Sequence, residues 1–264
     1  RQVTGHGDVA GGNVMGRWSH DFTKNSKMQL QVYYDRSERV KVGFHRGERV
    51  DTVDLDFQHQ FAFGERQKVV WGAGYRLSSD RVKPFVASLD PASQTTDLVS
   101  AFVQDEITLL KDRLALTIGS KFEHNDFTGF EIQPSGRLLW TPQKHHAVWA
   151  SMSRAVRTPQ RNDHALRIDG SALPPGAIAP GSPVALVALL GDKDFKSEEL
   201  LAYEIGYRVQ PHKKLALDFA GFFNVYDNLR TRLERGVPFL ESTPAPPHLV
   251  VPNRFANKMD GETY

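Results

Sequence analysis

The sequence predicts an all-β protein, namely part of an antiparallel up-and-down transmembrane β-barrel with about ten long strands. The first observation is an alternation of apolar and polar residues, which is clearest in residues 215–225. There Leu217 and Phe219 lie on one side and Asp218 on the other. A period of two residues is typical of a β-strand. The second observation is length, because a tilted strand needs about 9–11 residues to cross a bilayer, whereas ordinary strands have about five or six.

The alternating segments follow one another along most of the chain. Polar clusters of turn-forming residues, such as Gly64-Glu65-Arg66, join them into pairs. The predicted strands cover residues 13–22, 27–36, 50–63, 67–78, 97–109, 113–123, 130–141, 145–153, 199–209 and 213–227.

The third observation is that short turns alternate with longer connections. The longer connections are residues 37–49, 79–96, 124–129, 155–197 and 228–262, and all but one of them are too long for a tight hairpin. Outer-membrane barrels have short periplasmic turns and long extracellular loops. A soluble sandwich or propeller has no reason to separate its loops by length in this way. The apolar run 184–190 is predicted to be a short helix or a hydrophobic patch over the barrel mouth, since it is too short to span a membrane.

The two faces of the predicted strands differ in polarity. An apolar face would contact lipid, and the reverse face would line a hydrated lumen. The side on which residues 102–107 and Trp149 lie stays open, and a β-bulge near 102–107 would explain its mixed pattern. The predicted lumenal polar wall consists of Asp54, Asp56, Gln58, Arg76, Glu204, Arg208 and Asp218.

Aromatic residues are placed near both ends of the predicted strands. Two such groups would suit the two interfaces of a membrane, although aromatic residues also favour strands in general. The group near the short turns is Trp18, Phe22, Phe63 and Trp140, and the group near the loops is Tyr34, Tyr75, Phe223 and Tyr226.

Composition excludes several classes of protein. The 264 residues carry a formal net charge of +2, which argues against a dedicated nucleic-acid binder. Cysteine is absent, so disulfides, thiolate nucleophiles and zinc–thiolate sites are excluded. His145 and His146 are neighbours, but adjacent strand positions point to opposite faces and cannot close one metal site. Without a nucleotide-binding or hydrolase motif, no catalytic residue, metal site or cofactor is predicted.

Several segments in succession resemble the barrel of TonB-dependent outer-membrane receptors. They include SAFVQDE at 100–106, LALTIGSKFE at 114–123 and PSGRLLWTP at 134–142. WASMSRAVRTP at 149–159 is similar to a strand that enters a large outer loop. AYEIGYR at 202–208 and FFNVYDNL at 222–229 resemble the two strands that follow.

The resemblance implies a 22-stranded plugged barrel, of which residues 1–264 are expected to be a middle section without the plug domain and terminal strands. It implies a bacterial outer-membrane receptor, not an enzyme, that imports a scarce large nutrient with energy from TonB. A ferric siderophore is the first candidate, with cobalamin or another ligand as alternatives. The implied partners are outer-membrane lipid, lipopolysaccharide, the receptor's own plug domain, TonB and a small-molecule or metal-chelate ligand, with no nucleic acid.

In this family the outer loops line the ligand vestibule, so loop cations are candidates for contact with an anionic ligand. The same cations could instead bind lipopolysaccharide phosphates, pair with Asp163 and Asp169, or be solvated, and the sequence leaves these alternatives open. The candidates are Arg154, Arg157, Arg161, His164, Arg167, Arg230 and Arg232.

Two other kinds of protein would produce a similar pattern. A passive pore or an adhesive outer-membrane barrel obeys the same lipid rules and differs in lacking a plug and a TonB-contacting segment. A secreted all-β enzyme or lectin would bury the apolar stripes as its core, and it would be extracted without detergent.

Overall fold

A computed structural model describes residues 7–40, 45–231 and 233–264. Its elements are β1 (Asp8–Thr23), β2 (Ser26–Val40), β3 (His45–Phe63), β4 (Gln67–Pro84), β5 (Ala87–Leu89), β6 (Ser93–Leu110), β7 (Leu114–Asn125), β8 (Gly129–Gln143), β9 (His146–Arg157), α1 (Arg161–Ala165), β10 (Leu166–Leu173), β11 (Ala185–Leu190), β12 (Glu198–His212), β13 (Leu215–Arg230), β14 (Glu234–Arg235), β15 (Phe239–Glu241), β16 (His248–Arg254) and β17 (Asn257–Thr263).

Eleven long strands form one antiparallel sheet, which we call the main sheet. Its order is β1-β2-β3-β4-β6-β7-β8-β9-β12-β13-β17, so each strand pairs with the next long strand in the chain. The all-β, antiparallel up-and-down prediction is therefore confirmed, with eleven strands where about ten were predicted. The sheet is open, with β1 and β17 at its edges. α1 has five residues, and no helix among the described residues is long enough to cross a bilayer.

Cross-strand register gathers the alternating residues onto two distinct faces of the main sheet. Tyr203 pairs with Phe223 and Tyr207 with Phe219, whereas Arg208 pairs with Asp218. The side with Phe219, which we call the apolar face, continues through every pair of strands to Trp18 and Leu30 on β1 and β2. The reverse side is called the polar face. Directly opposite pairs have Cβ atoms about 4.5–5.5 Å apart, so like residues contact their own kind on each face.

The register also decides the positions that the sequence left open. Trp149 pairs with Gly206, and Phe102 with Gly72, which places both aromatic side chains on the polar face. A Cβ atom at either glycine would overlap the facing ring, so each glycine makes room for an aromatic residue. In β6 the odd positions from Val99 to Ile107 lie on the apolar face. Residues 102–107 therefore alternate without a bulge, and Asp105 is the polar exception on the apolar face.

The aromatic residues of the two predicted groups lie on the apolar face, with one exception. Tyr226 pairs with Leu200 and lies on the polar face, so its assignment to a lipid interface was wrong. The alternation explains the error, because Tyr226 is an even residue in a strand whose odd residues are apolar.

Two of the predicted long loops are mostly strand. β2 extends to Val40 and β3 begins at His45, so only residues 41–44 lie between them, and these are outside the described residues. β4 continues to Pro84 and β6 begins at Ser93. The polar residues at these strand ends lack the hydrophobic alternation of the middle, which is why the pattern missed them. The predicted connection 228–262 ends in a strand, because β17 begins at Asn257.

Three connections join to form a second, six-stranded sheet, which we call the loop sheet. β5 comes from the β4–β6 connection, β10 and β11 from the β9–β12 connection, and β14, β15 and β16 from the β13–β17 connection. Of the two alternatives for residues 184–190, the short helix was wrong, because Ala185–Leu190 is a strand paired in parallel with β16. Most of the buried apolar side chains belong to this sheet, including Ala185, Val250 and Val251.

Candidate functional site

The helix α1 connects the loop sheet to distant strands of the main sheet. The guanidinium of Arg161 donates to both carboxylate oxygens of Asp80 on β4, at 2.7 and 2.9 Å, and also donates to the Pro91 carbonyl. Only 11% of the Arg161 side chain and 18% of the Asp80 side chain are exposed. On the other side of the helix, the Asp163 carboxylate lies 3.2 Å from the guanidinium of Arg230 at the end of β13.

These two ion pairs show that the main sheet curves around its polar face. β4 is the fourth strand in the sheet order and β13 is the tenth, so six strand spacings separate them. A flat sheet would put them about 29 Å apart, at about 4.8 Å per strand, whereas five helical residues extend about 7.5 Å. One short helix can contact both strands only if the sheet bends towards it. Asp80 follows Arg76 and Ser78 on the polar face, so that face is concave.

Local capping explains why a helix begins at residue 161. The Gln160 backbone N–H donates to the Asp163 carboxylate at 2.9 Å, and the Asp163 N–H donates back to the Gln160 carbonyl at 2.9 Å. An acidic residue in the first turn satisfies free N–H groups and interacts favourably with the helix dipole. Asp163 is buried, and the Asp192 N–H donates to its carbonyl at 2.8 Å. The side chain that caps α1 also binds Arg230.

Arg167 is the centre of an ion-pair network within the loop sheet. Its guanidinium donates to both carboxylate oxygens of Glu241, each at 2.7 Å, and to Asp169 at 2.8 Å. His248 Nε2 lies 3.2 Å from the Glu241 carboxylate. The hydrogen bonds to Glu241 raise the pKa of Arg167, and those from Arg167 hold the pKa of the Glu241 carboxyl below its usual value. Bidentate pairs of this kind have a strict geometry, so they join β10 to β15.

Arg154 and Arg157 pair with acidic residues at the loop end of β12. Arg154 lies 2.9 Å from Glu199 and 3.8 Å from Glu131, and it donates to the Ile132 carbonyl. Arg154 makes these contacts at the point where the pairing between β8 and β9 ends. Arg157 contacts Glu198 at 2.8 Å and keeps 49% of its side chain exposed.

The two remaining candidates are His164, which the structure describes, and Arg232, which it does not. His164 Nε2 lies 3.1 Å from the Phe195 carbonyl, and its ring meets the Phe127 ring edge-on at 5.0 Å. Arg232 lies outside the described residues. Every described candidate therefore has a partner within the protein. Ligand contact stays a prediction for these residues.

The predicted polar wall residues all lie on the polar face. Arg76 donates to Asp54 at 2.8 Å, Arg208 donates to Asp218 at 2.8 Å, and Ser151 donates to Glu204 at 2.9 Å. Asp56 and Gln58 follow Asp54 at alternate positions of β3 on the same side. These cross-strand pairs leave the polar face with charges of both signs.

Several residues of this region were missed by sequence reasoning. Asp80 and Glu241 are the partners of predicted cations, but they come from other connections of the chain. Glu131 is buried and accepts a hydrogen bond from the Ser197 hydroxyl at 2.6 Å. No short-range signal marks these partners, because each bond joins residues more than 60 positions apart. No group of three or more His, Asp or Glu side chains in the described part of the chain could hold a metal ion.

Comparisons with known proteins agree with this geometry. The model of the family "TonB dependent receptor-like, beta-barrel" matches residues 2–261. The siderophore receptor PirA from Acinetobacter baumannii has a similar structure, with a TM-score of 0.67 and 16% identity over 95% of this chain and 41% of that one. A mutant of the ferric enterobactin receptor PfeA from Pseudomonas aeruginosa gives 0.71 and 16% over 95% and 40%.

A third solved structure, the FrpB iron transporter from Neisseria meningitidis, gives a TM-score of 0.62 and 14% identity over 93% of this chain and 38% of that one. At these identities the likeness concerns the fold, and the chain spans about two fifths of the length of these proteins. A comparison with curated protein sequences finds no match. Because the family model matches nearly the whole sequence, this chain belongs to the TonB-dependent receptors, a family of outer-membrane receptors and not of enzymes, and it forms part of their β-barrel.

Proposed function

We propose that this chain supplies part of the wall and the outer loops of a receptor that imports a scarce large nutrient across the outer membrane. A ferric siderophore is the proposed ligand class, and TonB is the proposed source of energy. The proposal is supported most by one observation: the main sheet has a continuous apolar face and a concave polar face that the loop sheet covers in part.

The apolar face fits lipid and does not fit water. Ile205 is 61% exposed and Phe219 is 60% exposed, and exposed apolar side chains occur on β1 to β13 along the sheet. Soluble monomers rarely expose contiguous apolar patches larger than a few hundred Å². In a secreted all-β enzyme or lectin these stripes would be core, but no second layer covers them among the described residues. A hydrocarbon environment accounts for them directly.

The concave side fits a hydrated interior that an ion or chelate could reach. Its Arg76–Asp54 and Arg208–Asp218 pairs keep charges in a region that needs water. Of the loop cations, Arg157 and Arg230 have 49% and 36% of their side chains exposed, so they retain capacity for an anionic ligand. Arg161 is nearly enclosed and is a weaker candidate.

The ligand class is supported by the names of the similar structures. PirA is described as a siderophore receptor, PfeA as a ferric enterobactin receptor and FrpB as an iron transporter. Iron chelates bind through anionic oxygen groups in many cases, and arginine is well suited to such groups.

The test is an uptake assay with the intact receptor in its host. We expect deletion of its gene to abolish uptake of iron-55 from at least one ferric siderophore, and deletion of TonB to have the same effect. Growth under cobalamin or carbohydrate limitation is the comparison for other ligand classes. Uptake that persists without TonB and rises linearly with ligand concentration would instead identify a passive pore.

A further inference from the structure

The edge of the main sheet that lies away from the loop sheet is formed by five short turns. They connect β1 to β2, β3 to β4, β6 to β7, β8 to β9 and β12 to β13. The turns are residues 24–25, 64–66, 111–113, 144–145 and 213–214. Each turn joins two neighbouring strands of an antiparallel sheet, so all five lie in one row. We call this row the turn edge.

Backbone hydrogen bonds hold neighbouring turns side by side. The Asn25 carbonyl accepts a hydrogen bond from the Ala62 N–H at 3.0 Å, and the Arg66 carbonyl accepts one from the Thr108 N–H at 2.7 Å. In both cases the donor belongs to the strand that leads into the next turn, and the third and fourth turns repeat the arrangement. Consecutive turns are two strand spacings apart, which is about 10 Å along the edge.

The turn edge is strongly cationic. Its twelve residues include seven Lys or Arg and two Asp or Glu, whereas the whole chain has 33 basic and 31 acidic residues. The turns therefore carry five net positive charges, although the chain as a whole carries two. Every turn contributes at least one cation. The seven, which we call the turn cations, are Lys24, Arg66, Lys111, Arg113, Lys144, Lys213 and Lys214.

The turn cations differ from the loop cations in having no counter-ion. All seven are exposed, and in the part of the chain that the structure describes none of them has a carboxylate within ion-pair distance. Five cations at the loop end each pair with a carboxylate, namely Arg154, Arg157, Arg161, Arg167 and Arg230. The turns are about one Debye length apart at physiological salt, so the fields of neighbouring turns reinforce one another.

The composition of the turn edge indicates what kind of partner it fits. None of its twelve residues has an apolar side chain. Protein–protein interfaces are anchored by buried aromatic and other apolar groups, which the turns do not offer. A row of evenly spaced, exposed charges instead fits an extended polymer with repeated negative charges, which binds through the sum of many weak contacts.

One depression of the turn edge has charges of both signs. It lies between the second and third turns, has a volume of about 840 Å³, and is lined in part by Arg66, Lys111 and Arg113. Glu65 and Asp112 line it as well. A polymer branch that bears carboxylates and an amino group fits such a depression better than a simple anion does.

We propose that the turn edge binds peptidoglycan, the cell-wall polymer whose peptide branches carry carboxylates and amino groups. The short turns of outer-membrane barrels face the periplasm, where this polymer lies. Ionic contacts spread over five turns hold the barrel to the wall, although each single contact is weak. The inference rests on the proposed membrane orientation and does not depend on what the receptor transports.

The test measures co-sedimentation of the intact receptor, in detergent, with purified peptidoglycan sacculi. The turn variant removes one cation from each turn: Lys24→Gln/Arg66→Gln/Arg113→Gln/Lys144→Gln/Lys213→Gln. The matched control removes the same numbers of Lys and Arg at exposed positions of the loop end: Arg81→Gln/Lys83→Gln/Lys193→Gln/Lys196→Gln/Arg235→Gln. The second probe is a preparation of sacculi whose carboxylates have been amidated.

We expect the native receptor to bind sacculi at low salt and to be released at about 0.5 M salt, where charges are screened over a few Å. The turn variant should bind at least about 10-fold more weakly, since binding through many ionic contacts falls steeply when contacts are lost. The control variant should bind as the native receptor does. Equal binding by the turn variant and the native receptor would overturn the proposal, and so would undiminished binding to amidated sacculi.

A smaller variant keeps the test valid if the fivefold variant fails to fold. Lys213→Gln/Lys214→Gln removes both cations of one turn, and we expect about 3-fold weaker binding to sacculi. Binding equal to that of the native receptor would contradict the proposal.

A protein partner is the alternative that the same variants exclude or identify. If the turn variant bound sacculi normally but no longer bound the periplasmic domain of TonB, the turns would serve a protein and the proposal would be wrong. Transport is not measured in these experiments, so their failure leaves the proposed uptake function to its own assay.

Discussion

The main sheet and the loop sheet differ in the burial of their apolar side chains. In the loop sheet Val250 is fully buried, and Val251 and Ala188 nearly so. In the main sheet Phe219, Ile205 and their neighbours are among the most exposed side chains. The loop sheet therefore has a buried apolar core, as a protein in water does, although three separate connections form it. The main sheet has no such core, and its stability depends on a solvent that accepts apolar side chains.

This difference assigns each region a separate source of stability. The loop sheet depends on burial and on ion pairs such as Arg167–Glu241, which operate in water. The main sheet depends on backbone hydrogen bonds between neighbouring strands and on lipid contact with one face. α1 is the connection between the two regions, through Arg161 and Asp80. Substitutions in one region are therefore expected to leave the other folded.

The largest effect is expected at the centre of the loop sheet. Val250→Asp places a charge in a fully buried apolar site, and an uncompensated buried charge costs about 3–5 kcal/mol. We expect limited proteolysis of the intact receptor to cut within residues 158–197 and 233–256, while the barrel strands stay protected. Val237→Asp, at an exposed position, is the control. Loss of barrel protection in Val250→Asp would show that the two regions do not fold separately.

The next effect concerns the apolar face. Phe219→Arg puts a charge against hydrocarbon and should cost about 2–4 kcal/mol near the midplane. Asp218→Asn, on the polar face one residue away, should be mild, since Arg208 keeps a hydrogen-bond acceptor there. The measurement is a folding titration of the intact barrel in lipid vesicles. If Asp218→Asn were the more costly change, the assignment of the two faces would be reversed.

A smaller effect is expected from breaking the connection between the two regions. Arg161→Gln leaves the Asp80 carboxylate without its nearly enclosed partner, and hydrogen bonds to charged groups contribute about 1.5–3 kcal/mol. We expect faster hydrogen exchange in α1 and β10, with β4 little changed. The double variant Arg161→Gln/Asp80→Asn should recover part of the loss, because it leaves no unpaired charge. Additive losses in the double variant would mean that the two side chains are not coupled.

The smallest effect is a pH dependence confined to the loop sheet. Arg167 lowers the pKa of the Glu241 carboxyl below the ordinary value of 4.5. Stability from a depressed carboxyl is complete above its unfolded pKa and is lost as pH falls through the folded one. Protease resistance of the loop sheet should therefore be constant from pH 7 to about 5 and should fall below about 4.5. In the Glu241→Gln variant, the protease resistance of the loop sheet should fall much less at low pH. A fall as large as in the native receptor would show that other groups cause the pH dependence.

Sequence reasoning was most successful where the cause of structure was local. Alternation alone separated the faces of β12 and β13, because most of the large apolar residues there fall on odd positions. It left β6 open, since Phe102 is apolar yet lies on the polar face opposite Gly72. That arrangement depends on a glycine 30 positions away, which no local pattern reveals.

The loop region was harder to predict for the same physical reason. The cations Arg161 and Arg167 were visible in the sequence, but their partners Asp80 and Glu241 come from other connections. The apolar run at residues 184–190 was visible too, but its pairing with β16 required a strand more than 50 residues later. Charge and hydrophobicity identify which residues need partners, and only the fold decides which partners they have.

The central claim is that the apolar face contacts lipid and the polar face contacts water. These 264 residues contain no cysteine, so a single cysteine introduced here is the one spin-label site in this part of the barrel. The most direct test is a set of four variants of the intact receptor in membranes, Leu217→Cys, Asp218→Cys, Phe219→Cys and Ala220→Cys. We expect labels at 217 and 219 to be accessible to oxygen and those at 218 and 220 to a water-soluble nickel chelate. A set without alternation, or with the opposite alternation, would contradict the account.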